Sequence, residues 1–303
     1  MPKRMPAVSF VAVPGRRRAT LDLAGEIEKR GFSGIYCPSM LDALALCQAL
    51  AFATRHIHFG TSVMPIYFRR PLDYALTTAF IHEVSGGRFH FGIGVSHAPS
   101  LARMGVSGGK PLADMREFIE DYRAAPRTGD KPPLVVAGLR KRMIALAGEM
   151  AEGLVFANGA LSHMGESLGV LPAAKRGSDR FFIGNMLPTC ISDDVEAAKA
   201  VNRRSLTHYL ELPNYRNYWR EAGYVEEIDA VEKAIAAGDN TRISDMMGDR
   251  WLDDVTLFGP AKRVRDRLEA WYDAGIRTPI LVPSSVEGNQ LKAFEEIFAT
   301  FAG

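Results

Sequence analysis

The chain has 303 residues, 47% of them hydrophobic and 24% charged, which excludes a disordered polymer and supplies enough apolar material for one large core or two small ones. A formal net charge of +2 offers no general footing for nucleic acid. Three cysteines, Cys37, Cys47 and Cys190, form no CxxC pair, so neither a disulfide framework nor a zinc site is indicated.

Lys3 and Arg4 open the chain, but the apolar run Val8–Val13 is shorter than a signal-peptide core and far short of a membrane span. A cytoplasmic protein is therefore expected. The same run is the first predicted strand, and Gly34–Cys37, Ile57–Val63, Phe89–Gly94, Leu134–Ala137, Gly153–Phe156, Phe181–Leu187 and Pro279–Val282 follow it. Between them, apolar residues at three-to-four spacing predict helices over Leu21–Arg30, Ala43–Ala53, Leu72–Val84 and Met143–Ala151. Gly31 sits where a C′ glycine belongs, and Pro71 where a first-turn proline is tolerated. Eight βα units point to the α/β class and a closed (β/α)8 TIM barrel, with an open doubly wound sheet as the competing topology.

Two segments break the rhythm. His97–Lys131 carries Gly105, Gly108, Gly109 and several prolines around one helical patch, Ala113–Ala124, and reads as a lid or substrate wall at a barrel mouth. Ser192–Asp254 reads as a helical insertion before the last strand, capped by Ser192 with Asp193 and Asp194 in support. After it, Gly259-Pro260 opens a helix ending at Ala274-Gly275, and Asn289–Phe301 is the final outer helix. With no repeat and no linker, residues 1–303 are expected to form a single domain.

Strand alternation groups His90, Gly92 and Gly94 on one face, and His58, Gly60 and Ser62 on one face of the strand before it. Small residues at the C-terminal ends of neighbouring strands leave space for a ligand, or else mark tight packing or a bulge. Gly92-Ile93-Gly94 lacks the third glycine of a dinucleotide fingerprint and lies on the fourth strand. Ala137-Gly138-Leu139-Arg140-Lys141-Arg142 joins a strand to a helix, and its backbone N–H groups and three cations suit a phosphate. Arg69 and Arg70 read as salt-bridged surface residues. His56 and His58 form an H-x-H pair at the start of a strand, where no matching ligands exist, so metal ligation is not favoured. His97, just past the glycine-bearing strand end, is better placed for acid/base work.

Gly60-Thr61-Ser62-Val63-Met64-Pro65, Arg69-Arg70-Pro71, Ala75, Ser85-Gly86-Gly87-Arg88-Phe89 and Gly92-Ile93-Gly94 resemble the bacterial luciferase-like monooxygenase superfamily. Pro133 to Gly138, Ala147-Gly148, Glu152-Gly153, Phe258-Gly259-Pro260 and Ala274-Gly275 continue the likeness in order, and it is weakest over Ser192–Asp254. The resemblance implies a barrel with an inserted region, usually a homodimer, binding coenzyme F420 (a deazaflavin) or FMN in its mouth and acting on a small molecule. It implies a non-prolyl cis peptide at Ser62-Val63, and serine at that position resembles the deazaflavin branch. By the same likeness Gly94, Val95 and Ser96 line the coenzyme ring with Ser62 and Val63, while Ala137, Gly138, Leu139 and Arg140 receive the phosphate. His97 and Tyr67 are the catalytic candidates, for polarising or protonating substrate.

One departure bears on chemistry. The family's frequent Asp-His pair after the second strand is replaced by Cys37-Pro38-Ser39-Met40. The expected function is F420-dependent hydride transfer to or from an organic substrate. An FMN-dependent monooxygenase using oxygen is the alternative, and a non-catalytic flavin-binding barrel is a third reading. A nicotinamide-dependent Rossmann enzyme would require the open sheet.

Overall fold

A computed structural model describes residues 4–301, so Lys3 lies outside the described residues. Its strands are β1 (Ala7–Val8), β2 (Gly34–Cys37), β3 (His58–Thr61), β4 (Met64–Pro65), β5 (Phe89–Gly94), β6 (Leu134–Ala137), β7 (Gly153–Ala157), β8 (Phe182–Ile191), β9 (Leu257–Gly259) and β10 (Thr278–Ser284). Helices fall between them, and the strand order is that of a closed parallel (β/α)8 barrel with helices inserted before the last strand. This is the predicted fold, not the open sheet. Among the described residues no helix is long and apolar enough to cross a membrane.

The chain divides into two compact units. The first comprises Met1–Phe156 with Gly169–Gly184, the second Ala157–Leu168 with Asn185–Gly303. In the first, β2 pairs with β3 along its whole length, from Gly34 opposite His58 to Cys37 opposite Thr61. Phe59, Phe89 and Phe91 are fully buried. They face the helices Pro71–Val84 and Pro111–Ala124, where Tyr74 lies 5.3 Å from Phe91 and Tyr122 5.5 Å from it, centroid to centroid. Hydrogen bonds from Tyr74 to the Pro65 carbonyl and between Thr78 and Tyr122 satisfy the polar tips of this layer.

The second unit holds the helical insertion: Val195–Leu210, Pro213–Glu221, Val225–Ala236, a 3-10 stretch over Asn240–Met246, and Asp249–Val255. Trp219 and Trp251 pack edge to face at 5.2 Å, and Tyr224 stacks on Trp251. Buried Asp254 accepts from the Ser162 amide and hydroxyl and from the Tyr224 hydroxyl, so its charge is fully hydrogen-bonded. The cap of the first inserted helix is Asp194, which accepts from the Ala197 amide at 3.0 Å, rather than Ser192. Ser192 instead accepts from the Asp194 amide and sets the turn.

Other boundaries moved for local reasons. The first strand is only Ala7–Val8, because Val11 and Val13 close a turn on each other ahead of Pro14-Gly15. The third is broken at Ser62-Val63: Phe59 faces Phe89 before the break and Met64 faces Ile93 after it, so this strand carries one residue more than its partner, as at a β-bulge. Strand β9 and the short helices Ala98–Arg103 and Met164–Gly169 are too brief for periodicity to mark.

The end of the barrel where strands begin is tied by two side chains. Glu28 accepts from the backbone amides of Arg55, His56 and Ile57 at the entrance to β3. Arg88, following the left-handed pair Gly86-Gly87, donates to the carbonyls of Ser85, Ile57, Ala51 and Thr54 and to the Thr54 hydroxyl, with its guanidinium over the Phe59 ring. The Ser85-Gly86-Gly87-Arg88 motif is thus structural. A lysine cannot reproduce that planar fork, so Arg88→Lys should cost about 2–4 kcal/mol in urea unfolding. A loss below about 0.5 kcal/mol, the range of ordinary surface substitutions, would show that the fork carries no stability.

Candidate functional site

The ends of β3, β4, β5 and β6 in the first unit, with the segments that follow them, hold the residues assigned to the coenzyme and to catalysis: Ser62 and Val63 after β3, Tyr67 after β4, Gly94 to His97 at the end of β5, and Ala137 to Arg140 at the end of β6. They are assembled by backbone contacts. A Cβ at Gly60 would overlap the His90 carbonyl, and one at Gly92 would overlap the Thr61 carbonyl. A Cβ at Gly94 would meet Val63 Cγ2 at 2.7 Å. The three glycines therefore do not vacate a ligand pocket; the tight-packing reading holds, and the space they release is taken by the neighbouring strand. Thr61 Oγ1 donates to the Gly92 carbonyl at 2.7 Å, locking the two strands at this height.

Directly above, the Ser62-Val63 peptide is cis. The Ser62 amide donates to the Cys37 carbonyl at 2.7 Å, and the Ile66 amide to the Gly94 carbonyl at 2.9 Å, so the bulge is pinned on both flanks. Ser62 is buried, while Val63 is partly exposed and lies over Gly94. Beyond Gly94, Val95, Ser96 and His97 are half-buried, and Ser96 has φ +58°, a left-handed conformation costing a serine about 1–2 kcal/mol. The His97 carbonyl accepts from the Ser100 and Leu101 amides and starts the next helix.

Tyr67 is held differently from expectation. Its hydroxyl donates to Asp114 Oδ2 at 2.6 Å, and burial, with the Asp114 carboxylate beside it, pushes its pKa up to about 12. That proton is committed to Asp114, which makes Tyr67 a weak acid. Asp114 also accepts from the Gly109 and Lys110 amides. It joins the lid segment to Tyr67, and the sequence reading missed it. The signal was present: in Lys110-Pro111-Leu112-Ala113-Asp114 a first-turn proline followed three residues later by an acid is a helix-start pattern.

At the next strand, Ala137 and Leu139 are partly exposed, Gly138 is buried and Arg140 is exposed. The Gly138 amide donates to the Val155 carbonyl, and a Cβ there would lie 2.8 Å from Leu154 Cδ1. Helix Lys141–Met150 then begins with no side-chain cap and no acid in its first turn. Lys141 and Arg142 stand at the positive end of its dipole, a like-charge arrangement that a phosphate would reverse into attraction. By donor chemistry this turn fits a phosphorylated coenzyme.

Below the glycines, toward the end where strands begin, rings stack on one another, with Tyr36 buried, His90 and Phe182 half-buried and His58 exposed. Tyr36 Oη and His90 Nδ1 lie 3.2 Å apart, His58 stacks on His90 at 5.4 Å, and Phe182 packs edge-on to His90 at 5.6 Å. The H-x-H histidine thus takes part in a packed layer, and among the described residues no three metal-binding side chains converge. Burial, and then the nearby His58 and His82, lowers the His90 pKa to about 4. An unfolded histidine titrates near 6.5, so the unfolded chain takes up the proton first as pH falls. The stability that His90 contributes should be complete above about pH 6.5 and be lost progressively as pH falls through about 4. Urea midpoints measured across that window should show this slope and His90→Gln should flatten it; equal slopes in both proteins would remove His90 from the acid response.

The profile of the luciferase-like monooxygenase family matches residues 9–278. A protein of Mycobacterium tuberculosis named as a coenzyme F420-dependent oxidoreductase is 25% identical, over 88% of this chain and 91% of that one. The structure of an F420-dependent tetrahydromethanopterin reductase from Methanopyrus kandleri superposes with a TM-score of 0.75 at 17% identity, covering 97% of each chain. A type II Baeyer-Villiger monooxygenase of Pseudomonas putida, in complex with FMN, superposes at 0.61 with 16% identity, covering 99% of this chain and 98% of that one.

Proposed function

The chain belongs to the luciferase-like monooxygenase family, a class of oxidoreductase and monooxygenase enzymes, and from that premise we propose that it is an F420-dependent oxidoreductase acting on a small organic molecule. The observation that carries the reading is the basic, uncapped helix start at Arg140–Arg142, one strand away from the bulge at Ser62-Val63. Ala137, Gly138, Leu139 and Arg140 hold the phosphate; Ser62, Val63, Gly94, Val95 and Ser96 position the ring. When bound, the coenzyme supplies hydride exchange. The protein supplies orientation: Val63, braced on Gly94, backs the ring, and Ser96 fixes the turn into the lid.

Proton handling falls to His97, with Tyr67 held by Asp114 as a hydrogen-bonding wall rather than a free acid. The serine at position 62 favours F420; FMN with oxygen remains the second reading, supported by the flavin-binding relative. The protein works in the cytoplasm, without nucleic acid.

Titration of the purified protein with F420, FMN and their phosphate-free ring cores, followed by intrinsic fluorescence, tests this. F420 should bind more tightly than FMN, and Arg140→Glu should weaken it about tenfold or more while leaving the phosphate-free core unaffected. FMN binding with no F420 response would assign the protein to the oxygen-using branch, and binding of neither would overturn the coenzyme reading.

We also propose a homodimer. The helix Ala43–Ala53 carries no charged residue, yet it exposes Ala45, Gln48 and, at 68%, Phe52. Beside it, Pro71–Val84 exposes Leu72, Leu76 and Phe80, one per turn. Helices apolar all round are normally covered. Side by side, at about 17 and 21 Å long and about 10 Å wide, they present roughly 400 Å² of face, about half of the roughly 800 Å² per partner of a standard interface, the rest falling to neighbouring segments. Light scattering should find a dimer that Leu76→Arg converts to monomer; a monomeric parent would end the assignment, and a dimeric variant would move it to another face.

A further inference from the structure

We infer that the substrate is a lipophilic molecule, gripped through an alkyl part by an apolar rim made of Val13, Met40, Leu41 and Met104. The inference rests on the proposed oxidoreductase reading and names the substrate class of that same site. These four side chains are 39, 58, 47 and 61% exposed. They stand on the segments following β1, β2 and β5, where a parallel-strand barrel binds its ligands.

Local geometry ties the segments of Met40, Leu41 and Met104 together, and Val13 stands after β1, the strand that pairs with β2. The loop carrying Met40 and Leu41 leaves Cys37, whose carbonyl holds the Ser62 amide, so it starts beside the bulge assigned to the coenzyme ring. Asp42 caps the following helix through the Ala45 amide and lies 3.9 Å from Arg69 in the segment that follows β4. Two residues before Arg69, Tyr67 reaches Asp114, and its ring lies 3.6 Å from the Cβ position of Gly108, which also abuts Leu101. Leu101 is on the helix that ends just before Met104. The rim is therefore continuous from the β2 loop, past Tyr67, to the lid.

Backbone conformation argues that the exposure is for use. Leu41 and Asp42 are consecutive left-handed residues, with φ of 54° and 59°. A branched leucine pays for that conformation, and here the result is to hold it outward rather than in the core. Folding alone gains nothing from an exposed leucine on a strained turn. Contact with an apolar ligand does.

The test uses the straight-chain 2-alkanones from 2-butanone to 2-decanone as probes, measured by displacement of anilinonaphthalene sulfonate fluorescence. Affinity should rise about threefold to fourfold for each added methylene. Met40→Ser and Met104→Ser, both at exposed positions, should flatten that dependence, while Leu76→Arg on the helix face should leave it intact. A flat series in the parent, an unchanged slope in both rim variants, or a slope lost in Leu76→Arg would overturn the inference. Coenzyme titration of the same samples separates the two readings. Coenzyme binding with a flat series rejects only the lipophilic substrate, whereas a steep, rim-dependent series without coenzyme binding rejects only the oxidoreductase assignment.

Discussion

Two strands meet through their backbones at Thr61 and Gly92, closer than any side chain at position 92 would permit, and the mouth of the first unit is built outward from that contact. The Thr61 hydroxyl on the Gly92 carbonyl fixes the height at which the strands stop running in register. Above it, the extra residue of the bulge has to be accommodated, and the amides of Ser62 and Ile66 find acceptors on strands to either side. Val63 then fills the place that Gly94 leaves open. One close approach thus sets the positions of Ser62, Val63 and Gly94, three of the residues assigned to the coenzyme ring.

Much of this architecture was legible from residue order. Periodicity located the strands that form the barrel and the helices between them, because each has a buried face of ordinary length, whereas the inserted helices, among them Val195–Leu210, were legible only as one helical stretch. Its limits appeared where a few residues are held by non-local partners. Met64-Pro65 is a strand only through Ile93 and Gly94, and Leu257–Gly259 only through Thr189 to Ile191. The glycines were visible as glycines, but whether a missing side chain admits a ligand or a neighbouring carbonyl depends on distances that alternation does not contain. Tyr67 was found by its place after the bulge, whereas Asp114, 47 residues away in sequence, belongs to it only in three dimensions.

The two ends of the barrel in this unit are built under different rules. Where strands begin, Glu28 and Arg88 are saturated with backbone partners, and the Tyr36, His58, His90 and Phe182 rings stack on one another. Where strands end, Leu41, Asp42 and Ser96 hold left-handed backbone, which aspartate tolerates but leucine and serine do not favour. Strain is affordable at one end because the other is so fully bonded.

The guanidinium of Arg88 has one more effect. Its acceptors lie on the end of one helix, the entry to β3 and the turn before β5, segments up to 37 residues apart. A side chain shared among them couples their opening, so the amides of β2, β3 and β5 should exchange with solvent deuterium as a single cooperative block. The lid and the β2 loop lie outside that block and can breathe on a faster clock without loosening the frame they are attached to.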